Sequence, residues 1–573
     1  MQRFFLSLII AVSLISNVSA QYVPKNLSKE DLKKANDWVD KTYNSLSQDE
    51  KLGQLFIVAL YTNKDDAHIN NVRNLVVNEK LGGLILMQDD AAKEIDLVNE
   101  FQSKSKVPMM IGMDAEWGLF QRIAAAHKFP WAMTLGAIQD KNLITEMAAK
   151  IADDAKRMGV NWDFAPVVDV NTNPDNPIIG NRSFGSDVEN VVNSAMAYSN
   201  GLQNSNVLAA IKHFPGHGDT NTDSHLDLPV VSHNLQRLNS VELAPFKALM
   251  DKGIGGVMVA HLYVPALESG KGIPASISKN IITGLLKEKF GYKGLIITDA
   301  LNMGAVAKRY KPGELDALAF KAGNDIMLFS DGVKEGKRLI QLAIDSKEIS
   351  QSRVEESVKK ILLTKYFLGL SKYTPRNPAN INSDLNNDSH KTLVQNLYSN
   401  ALTLLKDEKK LLPLNCNEKY YYVPLEEAPY QTFANQLNLN TTVIFKKPSE
   451  ISTIPANSKV IVGFHKDNST AYKPYKISAE SKKVLADLSK TQNVILTVFG
   501  SAYALKDVDV SKVSTVLVAY ENNDDSMTAV GKALNGQTKI SGRLPVLVND
   551  KLKAGMGMDL NPQTKINLNT TSK

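Results

Sequence analysis

Eight short apolar runs recur over the first two-thirds of the chain, and no other feature limits its fold as strongly. They stand at 54–60 (QLFIVAL), 83–87 (GLILM), 108–113 (PMMIGM), 160–165 (VNWDFA), 207–211 (VLAAI), 256–261 (GVMVAH), 294–298 (GLIIT) and 325–329 (DIMLF). Runs of this length and aliphatic content read as strands buried on both faces. Helical patterns separate most of them. The clearest, 143–158, places Leu143, Met147, Ile151 and Ala155 on one stripe and stops at Gly159. Others lie at 187–204, 235–251, 279–290 and 334–346. Eight strands alternating with helices predict an α/β fold, a (β/α)8 barrel of the TIM type. A doubly wound open sheet satisfies the same alternation, because a strand count does not prove closure.

At 573 residues the chain exceeds one core, so two domains are expected. A helix over 351–369 closes a barrel domain spanning 21–370, after a polar helix at 29–45 and a capping signal at Ser47–Glu50. A Pro-, Asn- and Ser-rich linker occupies 371–389. The second domain, 390–560, opens with a helix from His390 to about Leu405. It then alternates strands at 421–425, 442–445, 460–464, 494–499 and 515–520 with helices near 428–437, 478–489 and 525–535. That pattern predicts an α/β sandwich around a mostly parallel sheet, followed by a polar tail at 561–573.

The first twenty residues place Arg3 before an apolar stretch and end in Val18-Ser19-Ala20, the pattern of a secretory signal peptide cleaved near Ala20. The mature chain then begins near Gln21, where no cysteine offers a lipid anchor. No later stretch is apolar enough to span a membrane. Cys416 is the single cysteine and has no partner for an internal disulfide. Export without disulfides points to a periplasm or the exterior. The net charge of +6 comes without a basic cluster, which gives no footprint for nucleic acid.

Ionisable residues stand at or beyond the ends of the strand-like runs. Asp114 follows MIGM, Asp169 and Arg182 follow VNWDFA, Lys212 and His213 follow VLAAI, His261 ends GVMVAH and Asp299 follows GLIIT. An isolated aspartate at a strand end is often a helix cap. Several arriving at one mouth of a barrel mark the face where such folds do chemistry. The densest stretch is 211–229, IKHFPGHGDTNTDSHLDLP. Its residues His213, His217, Asp219, Asp223 and His225 have ligand chemistry for zinc. However, the pattern is not His-Glu-x-x-His on a helix, and Pro215 and Gly216 break any such helix, which counts against a metal site; no metal or organic cofactor is expected.

Three motifs then carry a resemblance: WDFAPVVDVNTNPDNPIIGNRSFGSD at 162–187, KHFPGHGDTNTDSH at 212–225 and TDALNM at 298–303. With ALTLLKDEKKLLPL at 401–414 and SGRLPV at 541–546, they resemble glycoside hydrolase family three, in its β-N-acetylglucosaminidase branch, over nearly the whole mature chain. The resemblance implies a TIM-type barrel followed by an α/β sandwich. It also implies an exo-acting, retaining glycosidase whose partner is a carbohydrate with a terminal β-linked GlcNAc, such as a peptidoglycan fragment. Asp299 takes the role of nucleophile, and His225, paired with Asp223, that of acid/base. Imidazole suits the second role because it titrates near neutrality, and a carboxylate on its other nitrogen orients it. Asp114, Arg182, Lys212 and His213, with Arg122, are implied to hold the sugar.

One departure stands out. Relatives carry Asp-x-Glu-Gly-Gly-Arg where this chain reads Asp114-Ala115-Glu116-Trp117-Gly118-Leu119, which puts contacts near Asp114 in question and offers Trp117 as a stacking or packing surface. His261 matches a family histidine and equally suits a buried structural role. The alternatives are a family-three β-glucosidase, a β-GlcNAc phosphorylase and a non-catalytic sugar-binding protein. The first usually lacks the Pro-Gly-His-Gly continuation and the Asp-Ser-His triplet, and the last needs neither nucleophile nor acid.

Overall fold

The computed structural model describes residues 27–439, 441–470 and 473–562. The leader read at 1–20, the new terminus near Gln21 and most of the tail lie outside the described residues. Eight strands form one parallel sheet: β1 (Phe56–Leu60), β2 (Gly83–Leu86), β3 (Met110–Met113), β4 (Trp162–Asp163), β5 (Leu208–Phe214), β6 (Gly256–Val259), β7 (Leu295–Thr298) and β8 (Met327–Leu328). Each pairs with the next from β1 to β7, and β1 also pairs with β8. A parallel bridge between Ile297 and Ile326 joins β7 to β8 and closes the ring. Closure decides between the two architectures that alternation allowed. Every residue of β1, β2, β3, β6 and β7 is buried, as a sheet covered by helices on its outer face and packed within requires.

Local bounds differ from the sequence pattern in several places. The run 160–165 shortens to two ladder residues, and 325–329 likewise. β5 is longer than the apolar run that announced it, because Lys212 and His213 extend the strand into the mouth. The helix read at 279–290 is a π-helix, Asn280–Lys289, and 235–251 divides into Leu235–Arg237, a π-turn at Leu238–Glu242 and Ala244–Met250. Pro245 sits at the start of the last segment, where its missing N–H is not needed.

The second sheet contains β9 (Thr403–Asp407), β10 (Lys419–Leu425), β11 (Thr442–Phe445), β12 (Lys459–His465), β13 (Asn493–Phe499) and β14 (Thr515–Val518), in the order β11-β10-β12-β13-β14-β9. It is parallel except for β9, which pairs antiparallel with β14. This corrects the helix read to Leu405. The helix ends at Ala401, and the following apolar residues form the edge strand.

The two halves share a seam. The buried Glu521 accepts hydrogen bonds from the Trp131 N–H at 2.8 Å and the Thr134 hydroxyl at 2.7 Å, with Lys128 at 3.4 Å. Nearby, Asp175 accepts from the Tyr475 hydroxyl at 2.7 Å and pairs with Lys506 at 2.9 Å. Among the described residues no helix is long and apolar enough to cross a membrane.

Candidate active site

The C-terminal ends of β3, β5 and β7 open onto one cavity of about 250 Å³, lined among others by Asp114, Arg182, Lys212, His213, His225 and Asp299. Its charged wall is built from β3 and β5. Asp114 is the first residue past β3. It accepts from Lys212 Nζ at 2.8 Å and from an Arg122 terminal nitrogen at 2.6 Å. Glu116 follows by two residues. Its carboxylate takes Arg182 in a two-pronged contact at 2.6 and 2.8 Å and Lys212 at 2.8 Å. Burial raises the Asp114 and Glu116 carboxyls, but the neighbouring cations outweigh it. Asp114 ends well below the carboxylate range, and Glu116 falls to about 2. Burial likewise opposes the Lys212 ammonium, and Asp114 and Glu116 reverse that and raise it. A buried ion network of this kind holds only when every member keeps its partner.

Asp169, completely buried, orients the next pair. Its carboxylate lies 2.7 Å from His213 Nδ1 and accepts the His217 backbone N–H at 2.7 Å. An Arg182 N–H reaches His213 Nε2 at 3.3 Å, so the ring proton stands on Nδ1. His217 is buried between the Thr220 hydroxyl at 2.7 Å and the Ser224 hydroxyl at 3.3 Å, and burial pushes its imidazole down to about 4. The motif's glycines serve this turn. Gly216 has φ +121°, and a Cβ on Gly218 would fall 1.9 Å from the Val170 carbonyl oxygen.

Asp299 follows β7 directly and is half-buried. Its Oδ1 accepts the Ala300 N–H at 2.8 Å. Burial raises its carboxyl, yet His213, His261, the Ala300 N–H and Lys212 together bring it below the usual range. His225 stands on the loop after β5. Its Nδ1 is 2.8 Å from Asp223, and its side chain is 56% exposed at the rim of the same cavity. The loop rests on residues after β7: Gly304 N–H meets the His225 carbonyl at 3.2 Å, and Lys308 reaches the Leu226 carbonyl at 2.8 Å.

The eight site residues expected from the sequence are thus gathered at one mouth, six lining the cavity with Arg122, and Asp223 behind His225. His261 is fully buried. Its two nitrogens meet the Ser276 hydroxyl at 2.7 Å and the Ala300 carbonyl at 2.9 Å, the structural role. Trp117 packs against Trp131, ring centroids 4.2 Å apart, and does not line the cavity. The five residues with zinc chemistry disperse: Asp219 pairs with His233, and Asp223 with His225. Among the described residues no three such side chains converge.

Sequence reasoning passed over Glu116 as a partner of Arg182 and Lys212. The Asp114-x-Glu116 spacing after a strand was the available signal, since residues two apart share a side. It also passed over Tyr61 and Phe329, aromatic walls contributed by the ends of β1 and β8.

Residues 47–364 match the family model described as the glycosyl hydrolase family 3 N terminal domain. Over 549 residues the chain is 30% identical to beta-hexosaminidase A of Pseudoalteromonas piscicida, covering 83% of this chain and 90% of that one. Beta-hexosaminidase LpqI of Mycobacterium tuberculosis is 32% identical over 332 residues, covering 56% and 83%. A solved glycoside hydrolase family 3 beta-N-acetylglucosaminidase from Paenibacillus sp. str. FPU-7 aligns with a TM-score of 0.73 at 29% identity, covering 88% of this chain and 99% of that one.

Proposed function

Since the chain belongs to glycosyl hydrolase family 3 and is a glycoside hydrolase, we propose that it is an exported, retaining exo-β-N-acetylglucosaminidase that removes terminal β-linked GlcNAc, with peptidoglycan fragments as its substrates. Asp299 attacks the anomeric carbon while His225 gives its proton to the departing glycosidic oxygen. The glycosyl ester on Asp299 is then cleaved by water, whose proton returns to His225. Asp223 holds the imidazole in orientation and stabilises its protonated form. Asp114, Arg122, Arg182, Lys212 and His213 engage hydroxyls and the acetamido group. Their mutual pairing keeps each donor and acceptor fixed before the sugar arrives.

The observation that carries this reading is the pairing of Asp223 with His225 at 2.8 Å on the rim of the cavity that Asp299 also lines. A binding protein has no use for a nucleophile and an oriented acid in one cavity. The family relatives named beta-hexosaminidase support the sugar. The export reading rests on the leader pattern at 1–20.

The test is an assay of purified protein on aryl β-GlcNAc and aryl β-glucoside, with and without phosphate. Turnover of the GlcNAc substrate to free sugar is expected. Dominant glucoside turnover would replace the sugar, a phosphate-dependent sugar phosphate would replace hydrolysis, and binding without turnover would leave a lectin-like protein.

A further inference from the structure

Phe329, the residue after β8, has φ +60°, a left-handed conformation that a bulky side chain rarely adopts. Its N–H is tied to the Ile57 carbonyl at 2.8 Å, so the strand pairing of β1 holds it there. Such strain persists only where the surrounding structure over-determines it, and it is enriched at ligand sites. The Phe329 ring meets Tyr61, just past β1, edge-on at 6.2 Å between centroids. These two rings line the catalytic cavity and also a second compartment of about 240 Å³ beside it.

The far side of that compartment is polar. Lys64, His68, Asn71 and Asp331 contribute to it. Lys64 Nζ lies 3.8 Å over the Tyr61 ring. His68 Nε2 accepts the Tyr61 backbone N–H at 3.1 Å, which puts the ring proton on Nδ1 as a donor. Lys64 only donates, Asp331 offers acceptor oxygens, and Asn71 does both. Aromatic surface with both kinds of hydrogen-bonding partner matches a sugar ring, whose carbons pack on the one and whose hydroxyls each donate and accept. The compartment nearly equals the catalytic cavity in volume, room for one further ring.

We propose that the Tyr61–Phe329 wall and the compartment beyond it form a subsite for the leaving saccharide, the sugar on the reducing side of the cleaved bond. The proposal rests on the exo-glycosidase reading, in which the terminal ring occupies the cavity at Asp299 and the next ring needs a place beside it. Lys64 and Asp331 are exposed and touch none of the catalytic pairs, so their replacement leaves the fold and the cleavage chemistry in place.

The experiment compares kcat/KM for N,N′-diacetylchitobiose and for an aryl β-GlcNAc in the wild type, Lys64→Ala and Asp331→Ala, with melting temperature as a fold control. Each variant is expected to lose about 10-fold on the disaccharide, the value of one well-placed hydrogen bond to a charged group, and to stay within about two-fold on the aryl substrate. A wild type that cleaves both substrates, with variants showing equal losses on both or no loss on either, would overturn the subsite while leaving the parent reading intact. A wild type inert on both would overturn the two together.

Discussion

Glu94 lies in the first turn of the helix Ala91–Lys104, fully buried, with neither carboxyl oxygen hydrogen-bonded among the described residues. Burial pushes its carboxyl up to about 8, with Asp90 and Asp89 adding to the shift and Arg122 opposing it. The unfolded chain ionises this group near 4.5, whereas the folded chain keeps it neutral to about 8. Its contribution to stability is therefore lost as pH rises between those values. Glu94→Gln should raise the melting temperature by an amount that is nil at pH 4, grows toward pH 8 and is worth a few kcal/mol at most. A gain independent of pH would show that the carboxyl does not titrate in that window. At the residues proposed as catalytic, Asp299→Ala should abolish turnover without altering the circular dichroism spectrum, and a 2-fluoro sugar should label Asp299 of the wild type. Mass spectrometric recovery of the label on another residue would reassign the nucleophile. His225→Ala should cost about 10²–10⁴-fold on disaccharides and far less in the glycosylation step of dinitrophenyl GlcNAc, whose leaving group hardly needs a proton. The same variant should accumulate the glycosyl enzyme as a burst, relieved by azide, and Asp223→Asn should do so more mildly. Equal losses on every leaving group would place the acid elsewhere.

The element proposed to carry the acid/base is the connection after β5, and it is held both by a buried carboxylate and by close backbone approach. Asp169 collects the N–H of His217 and the ring of His213, while Gly218 lies against Val170 one residue on. A methyl group at 218 has no room, so Gly218→Ala should move the segment 213–218 off Asp169. Displacements of about 1 Å cost on the order of 10²-fold in catalysis, and kcat/KM should fall at least that far on aryl and natural substrates alike. A variant with wild-type kcat/KM would mean that the turn tolerates the shift. The contrast with His225→Ala is diagnostic, since a lost acid discriminates between leaving groups and a displaced wall does not.

Across the whole molecule, one apolar core runs through both the barrel and the second sheet, and polar contacts cross the seam beside it, among them those of Glu521, which is 1% exposed. Removing its carboxylate leaves the Trp131 N–H and the Thr134 hydroxyl buried without that acceptor, each at about 1–3 kcal/mol. Glu521→Ala should lower the melting temperature and, in scanning calorimetry, separate the unfolding of the two halves into distinct transitions. A single unshifted transition would show that other contacts, such as Asp175 with Tyr475 and Lys506, suffice to couple them.

Local pattern determined much of this protein. Apolar runs marked all eight barrel strands, because a strand buried on both faces is mostly apolar. The motifs around Lys212, His225 and Asp299 marked the mouth, because chemistry needs ionisable side chains where strands end. Other features were decided only by tertiary structure, each for the same reason: they depend on which distant segments meet. Closure rests on one bridge between Ile297 and Ile326, and no count of strands contains it. The run after Ala401 continues a helical stripe in sequence and becomes β9 because β14 offers an open edge. Glu116 gains its part from Arg182 and Lys212, 66 positions from the first, and Trp117 is drawn away from the cavity by Trp131. Tyr61 and Phe329 lie far apart along the chain and become neighbours because β8 returns to pair with β1.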